Sequence, residues 1–160
     1  MKFPPLSLVV IIGIVLDQAV KWLVETRLAF EELVPVLPFL GLYRTWNFGV
    51  AFSKFSHLGP LALIVMTVAI IAFVGWLWSR AGIEKRYARL GFALIISGAI
   101  GNLIDRVLLG HVADYILFHT PVWSLAVFNL ADTLITFGAF FILVQEAADW
   151  RIARQKVSGR

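Results

Sequence analysis

The chain has 160 residues, of which 60% are hydrophobic and 15% are charged, and it contains no cysteine. A soluble domain of this length could not bury so much apolar surface, whereas lipid can cover it, so the composition predicts a small helical bundle in a membrane. The lack of cysteine excludes disulfides, thiolate metal sites and a cysteine nucleophile, and three scattered histidines argue against a zinc site.

The net charge of +4 is distributed in a way that argues against a nucleic-acid partner. Nucleic-acid-binding patches normally occupy one contiguous face, whereas these basic residues flank the hydrophobic runs on alternate sides. Nine of the fourteen Lys and Arg residues fall in three short stretches, the positive-inside pattern of cytoplasmic segments: Lys2; Arg80, Lys85, Arg86 and Arg89; and Arg151, Arg154, Lys156 and Arg160.

Four apolar runs are long enough for the roughly 20-residue helix that crosses about 30 Å of hydrocarbon. The first run has an apolar core like that of a secretory signal peptide. However, Asp17 and Lys21 lie where that core should end, and no small-residue cleavage site follows. We therefore predict a retained first helix and an all-α membrane protein, a four-helix bundle with spans at about 6–24, 58–79, 90–109 and 122–144.

The basic stretches, placed inside, put both chain termini in the cytoplasm. The predicted cytoplasmic segments are then 1–5, 80–89 and 145–160, and the extracytoplasmic ones are 26–57 and 110–121. Within the first outer segment, residues 39–52 are rich in aromatics and partly alternating. This pattern predicts a short strand pair at the membrane surface, and thus a small extracytoplasmic β-sheet between helices 1 and 2. The second outer segment is predicted to be a short loop that holds Asp114.

The carboxylates of the spans gather on one side of the predicted bilayer. At 1.5 Å per residue, Asp105 lies about 7 Å inside the outer end of its span, Asp17 about 10 Å and Asp132 roughly 15 Å. Asp114 lies just above them. An ionisable group at mid-membrane costs at least about 2.5–3.5 kcal/mol, so each of these residues requires an explanation.

Two of the acids have a cation close by in the sequence. Asp17 and Lys21 stand at i, i+4 on one helical face, and Asp105 adjoins Arg106, so both acids could be neutralised structurally. Asn102 and Arg106 are also at i, i+4 and could reach one shared partner, although Asn102 could equally hydrogen-bond between helices.

Asp132 and Asp114 lack such a cation. Along its helix Asp132 has only Asn129 on the same face, and Asp114 has only His111 and His119 nearby. Two unpaired acids on the same side of the bilayer fit a dyad that shares a proton, activates water and protonates a leaving amine without a metal. A proton or ion relay in a transporter, and a ligand site in a non-enzymatic membrane subunit, remain as alternatives.

The other conspicuous residues have simpler interpretations. His111 and His119 are predicted to be loop residues and not ligands. Gly13, Gly75 and Gly98 are predicted to be helix-packing positions, where a small residue lets two backbones approach.

Five motifs occur in an order similar to that of bacterial lipoprotein signal peptidase, also called signal peptidase II. The resemblance runs from the first helix to the fourth, and a departure such as Val20 affects it little. The motifs are Asp17-Gln18-x-x-Lys21, Thr45-x-Asn47-x-Gly49-Val50-Ala51-Phe52-Ser53, Gly101-Asn102-Leu103-Ile104-Asp105-Arg106, Val112-x-Asp114-Tyr115 and Phe128-Asn129-x-Ala131-Asp132.

The resemblance implies an aspartyl intramembrane endopeptidase of the bacterial inner membrane, with its active site towards the extracytoplasmic face. Such enzymes cut the signal peptide from a prolipoprotein just before a diacylglyceryl-modified cysteine, and the cyclic peptide globomycin inhibits them. It implies no metal and no cofactor, and we expect a monomer. The family's catalytic pair falls on Asp114 and Asp132, and its supporting polar residues fall on Asp17, Asn47, Asn102, Arg106 and Asn129. Lys21 and Asp105 are given a structural role.

Overall fold

The computed structural model describes residues 5–49, 59–120 and 122–158, although not the side chains of residues 60 and 156–158. The described chain contains four helices that are long and apolar enough to cross a membrane, which confirms the predicted bundle. In chain order the elements are α1 (Leu6–Arg27), β1 (Leu33–Leu37), β2 (Leu40–Asn47), α2 (Pro60–Arg80), α3 (Arg86–Leu108), β3 (Val112–Thr120), β4 (Trp123–Ser124) and α4 (Leu130–Ser158).

The fourth helix starts later than the predicted span. We predicted 122–144, but α4 begins at Leu130. Residues 122–129 are apolar and yet not helical, since they contain β4 and an isolated bridge to β3. Hydropathy reports apolarity and not backbone conformation, so the prediction included this segment in the span. Asp132 therefore lies in the first turn of α4 and not in the middle of the helix.

Helix α3 packs against each of the other three helices. Towards α4 the two backbones approach closely, because a Cβ added to Gly98 would collide with the carbonyl oxygen of Ala131. A Cβ on Gly91 would likewise collide with the carbonyl oxygen of Gly138. The predicted packing role of Gly98 is therefore confirmed.

The other two predicted packing glycines differ from each other. Gly13 of α1 faces the Ser97 side chain of α3, and the Ser97 hydroxyl donates to the carbonyl oxygen of Val10 at 3.2 Å. At Gly75, in contrast, a Cβ would meet no heavy atom of the described residues within 4 Å. Among the described residues Gly75 therefore has no packing role, and its apolar surroundings in the sequence gave no sign of which helix face is packed.

The described strands form one antiparallel sheet in the order β1-β2-β3-β4. Strands β1 and β2 confirm the predicted small sheet between the first two helices, although the strand pair was predicted within residues 39–52 and β1 precedes that stretch. The sheet also extends into the segment between α3 and α4, because β3 pairs with β2 where a loop was predicted. In this register Thr45 lies opposite Asp114, and Asn47 opposite Val112. The pairing thus brings two distant motifs together, although the last residues of the second motif, 50–53, lie outside the described residues.

A polar clamp fixes the sheet to the end of α1. The Arg44 guanidinium donates to the carbonyl oxygens of Glu25 at 3.0 Å and Leu28 at 3.1 Å, which have no helical partner at this end. Arg44 also forms an ion pair with the Glu25 carboxylate, which accepts from the Trp46 indole at 3.1 Å. The membrane helix and the sheet are therefore connected through β2.

We expect Gly98→Ala to destabilise the protein by about 1–3 kcal/mol, since the added methyl group forces α3 and α4 apart. The matched control is Gly75→Ala, where the methyl group has space among the described residues. Thermal unfolding in detergent, followed by circular dichroism, should show a lower Tm for Gly98→Ala only. An equal Tm for both variants would contradict the packing described here.

Candidate active site

All nine predicted site residues come together where the first turn of α4 meets β3 and the adjoining turns of α1 and α3. Four of these residues carry carboxylates, two carry cations and three carry neutral amides. Most of them are connected by side-chain hydrogen bonds or ion pairs. The residues are Asp17, Lys21, Asn47, Asn102, Asp105, Arg106, Asp114, Asn129 and Asp132.

Asp114 is buried on β3, with 2% of its surface exposed. One carboxylate oxygen accepts from the Asn47 amide at 3.0 Å, and the other accepts from the Asn129 amide at 2.6 Å. Burial raises the pKa of Asp114 to about 6, assisted by the nearby Asp132 charge and opposed by the hydrogen bonds from Asn47 and Asn129. Asp114 can therefore change its protonation state near neutral pH.

Asp132 is half-buried and forms a reciprocal cap with Asn129 at the start of α4. The Asp132 N–H donates to the Asn129 side-chain oxygen at 2.9 Å, and the Asn129 N–H donates to an Asp132 carboxylate oxygen at 3.3 Å. This is the capping-box arrangement, which satisfies two backbone donors that lack a helical partner. Because the Asn129 amide also binds Asp114, this one residue contacts both carboxylates of the predicted pair.

Asn102 joins the pair to a buried ionic cluster. Its amide nitrogen donates to the other Asp132 carboxylate oxygen at 2.8 Å, and its oxygen accepts from the Lys21 ammonium at 3.0 Å. Lys21 in turn lies 2.8 Å from both Asp17 and Asp105.

The predicted pairing of Asp17 with Lys21 is thus confirmed. The salt bridge of Asp105 is formed with Lys21 of α1 and not with Arg106 as predicted, because adjacent helical residues do not face each other, and Arg106 interacts with Asp105 only at longer range.

Two further contacts secure this cluster from α1. The buried Asp17 carboxylate accepts from the backbone N–H of Ala131 in α4 at 3.0 Å. The Gln18 amide donates to Asp105 at 2.9 Å and to the carbonyl oxygen of Gly101 at 3.2 Å. Gln18 was not among the predicted site residues, although it belongs to the first motif, and its polarity inside an apolar run was the signal available.

Arg106 places a second cation beside the pair. It is half-buried, donates to the carbonyl oxygen of Asn102 at 3.4 Å, and interacts electrostatically with Asp132, Asp114 and Asp105. The four carboxylates of the described cluster therefore face two cations. Arg106 is the cation of this cluster that lies beside Asp114 and Asp132, while Lys21 pairs with Asp17 and Asp105.

Aromatic residues lie at the edge of the site. The His111 ring, in the turn before β3, lies 4.6 Å from the Trp46 ring and 5.6 Å from the Phe48 ring. His119, in contrast, belongs to β3, so its prediction as a loop residue is wrong. Within residues 5–49, 59–120 and 122–158, no three His, Asp or Glu side chains are arranged to hold a metal ion.

Comparisons with known proteins agree on one family. A family model described as "Signal peptidase (SPase) II" matches residues 9–148. The chain is 56% identical over 142 residues to a lipoprotein signal peptidase of Allorhizobium ampelinum, which covers 89% of this chain and 87% of the relative. It is 54% identical over 150 residues to that of Mesorhizobium japonicum, covering 94% and 89%. A bacterial membrane enzyme solved at 2.3 Å superposes with a TM-score of 0.80 and 25% identity, over 90% of this chain and 88% of its own.

We expect Lys21→Met to destabilise the protein by about 3–5 kcal/mol, because it leaves two buried carboxylates without their cation. The matched control is Lys85→Met, which breaks exposed ion pairs with Glu146 and Asp149 and should have little effect. Thermal unfolding in detergent measures both changes. Adding Asp17→Asn and Asp105→Asn to Lys21→Met should restore part of the lost stability, and a further decrease would contradict the assigned pairing.

Proposed function

Because the chain belongs to the signal peptidase II family, we propose that it cuts the signal peptide from diacylglyceryl-modified prolipoproteins, just before the lipid-modified cysteine. Asp114 and Asp132 are the proposed catalytic pair. The observation that carries this assignment is their connection through Asn129, which contacts both carboxylates. Membership in a peptidase family also argues against the transporter and the non-enzymatic subunit that the sequence alone left open.

The proposed chemistry is general acid–base catalysis by a shared-proton dyad. The ionised carboxylate takes a proton from a water molecule, which attacks the carbonyl carbon before the cysteine. The protonated carboxyl group then gives its proton to the cysteine nitrogen as the carbon–nitrogen bond breaks. A signal-peptide carboxylic acid and a free amine result, and the dyad again holds one proton, now on the other aspartate. The two acids have different surroundings, since Asp114 is buried and Asp132 is half-buried, and such a difference separates the roles of a carboxylate pair.

The surrounding polar groups support the pair in this proposal. Asn47 and Asn129 orient the Asp114 carboxylate, and Asn102 orients Asp132. Arg106 offsets the negative charge and, with the amides, is available to substrate carbonyl oxygens. Asp17 keeps the first turn of α4 in place.

The membrane provides the orientation of the substrate. With the basic segments cytoplasmic, both termini are inside and the active site lies towards the extracytoplasmic face of the inner membrane. The exposed apolar side chains of the β1–β2 hairpin, among them Val36 and Phe39, fit a sheet that lies on the bilayer surface. A lipid-anchored cysteine at this interface brings its scissile bond to the level of β3. Trp46, Phe48 and His111 then limit access of water.

The proposal extends to ligands and assembly. Globomycin should bind at the dyad as an inhibitor, and cleavage should need neither a metal nor an organic cofactor. The enzyme is expected to act as a monomer in the membrane, with no nucleic-acid partner.

We expect Asp114→Asn and Asp132→Asn each to lower cleavage of a lipidated peptide by at least about 100-fold, because an amide can neither accept nor donate the required proton in the dyad. Asp149→Asn, at the other end of α4, serves as the control and should retain activity. Mass spectrometry of the products measures cleavage, and circular dichroism verifies folding. A folded Asp114→Asn or Asp132→Asn enzyme with full activity would refute the dyad.

The pH dependence gives an independent test of Asp114. Its pKa of about 6 already includes a lowering by the Asn47 hydrogen bond, which favours the ionised carboxylate. Asn47→Ala removes this stabilisation and should move the limb of the pH–rate profile that Asp114 controls to higher pH. This direction holds whether Asp114 acts as the base or as the acid. A profile whose limbs stay in place, or move to lower pH, would contradict the assignment.

A further inference from the structure

Tyr115 follows Asp114 on β3 and is almost completely buried, with 4% of its surface exposed. Its hydroxyl oxygen accepts a hydrogen bond from the backbone N–H of Leu130, the first residue of α4, at 3.1 Å. Burial raises the pKa of Tyr115 to about 12, so the phenol stays neutral at the pH of the reaction and adds no charge beside the carboxylates. Tyr115 thus connects the strand that carries Asp114 to the helix that carries Asp132.

The backbone strengthens this connection. The N–H groups of Tyr115 and Ile116 both donate to the Phe128 carbonyl oxygen, at 3.1 and 2.8 Å, and the Phe128 N–H donates to Ile116 at 3.0 Å. These bonds end two residues before α4 begins. The Tyr115 hydroxyl extends the same attachment into the first turn of the helix.

The partners in this first turn come from different elements. The Ala131 N–H binds Asp17 of α1, and the Asp132 N–H binds Asn129, which precedes the helix. Among the described contacts to these first N–H groups, the one at Leu130 comes from the strand of Asp114. Without it, β3 would still be joined to Asn129 and Phe128, which precede α4, but not to these first N–H groups of the helix itself.

We propose that Tyr115 is a positioning residue for the cleavage reaction: its hydroxyl, by capping the Leu130 N–H, sets the location of Asp132 relative to Asp114. This inference rests on the proposed function of the two aspartates. A buried N–H without a partner is unfavourable, so removal of the hydroxyl shifts the first turn towards another acceptor. A displacement of about 1 Å between reacting groups can lower a rate by about 100-fold.

The first test removes the hydroxyl and keeps the ring. In Tyr115→Phe we expect kcat per active site to fall about 10-fold or more, with KM within about twofold of the starting enzyme. Active sites are counted by titration with globomycin, so a loss of folded protein does not count as a loss of kcat. The matched control is Tyr87→Phe, since Tyr87 is 54% exposed near the start of α3. An unchanged kcat per titrated site in Tyr115→Phe would overturn the proposal.

The second test removes the donor instead of the acceptor. Leu130→Pro deletes the N–H at the first helical position, where proline is well tolerated, and Leu130→Ala is its control because it keeps the N–H. Leu130→Pro should lower kcat, Leu130→Ala should not, and Tyr115→Phe should cause no further loss in the proline background. Independent, multiplying losses would refute the link between the two groups.

The two proposals fail in different ways. If Asp114→Asn or Asp132→Asn enzymes are active, the proposed dyad is refuted. If the aspartate variants are inactive and the Tyr115→Phe enzyme is fully active, the dyad is supported and only the proposed role of Tyr115 is refuted.

Discussion

The beginning of α4 imposes the constraint on which the site depends. This helix end is partly buried, and a free N–H group that is shielded from water there is costly if it lacks an acceptor. Three of these N–H groups donate to side-chain oxygens, which belong to Asn129, Asp17 and Tyr115. Since each acceptor belongs to a different part of the chain, satisfying the helix end also brings together α1, β3 and α4.

The four carboxylates of the cluster have two kinds of partner. Asp17 and Asp105 form ion pairs with the Lys21 ammonium, which hold α1 and α3 together as scaffold. Asp114 and Asp132 instead accept hydrogen bonds from neutral amides. An amide orients a carboxylate without supplying a full counter-charge, which suits the proton exchange proposed for this pair. The amides that orient Asp114 and Asp132 are thus different residues from Lys21, which neutralises the scaffold carboxylates.

The sequence predicted the parts of the structure that depend on composition and local spacing. The four apolar runs, the strand pair of the first outer segment and the contact of Asp17 with Lys21 follow from hydropathy, alternation and helical periodicity. The motifs also assigned Asp114 and Asp132 as the catalytic pair, and that role stays a prediction. The start of α4, the pairing of β3 with β2 and the partner of Asp105 could not be predicted in this way. Each of them depends on which distant segment lies opposite, and no local pattern records that.

Tyr115 shows the same limit at the level of one side chain. From the sequence, an aromatic residue next to Asp114 on a strand is expected to be a core residue. The role of its hydroxyl can be inferred only from the structure, in which the N–H of Leu130 lies beside it. The proposed dyad is divided between a strand and a helix, so its geometry cannot be encoded within either element. It has to be imposed by contacts between them: backbone bonds of β3 to Phe128, the amide of Asn129 and the hydroxyl of Tyr115. A site divided in this way is complete only in the folded bundle, because neither acid alone has the surroundings that the chemistry requires.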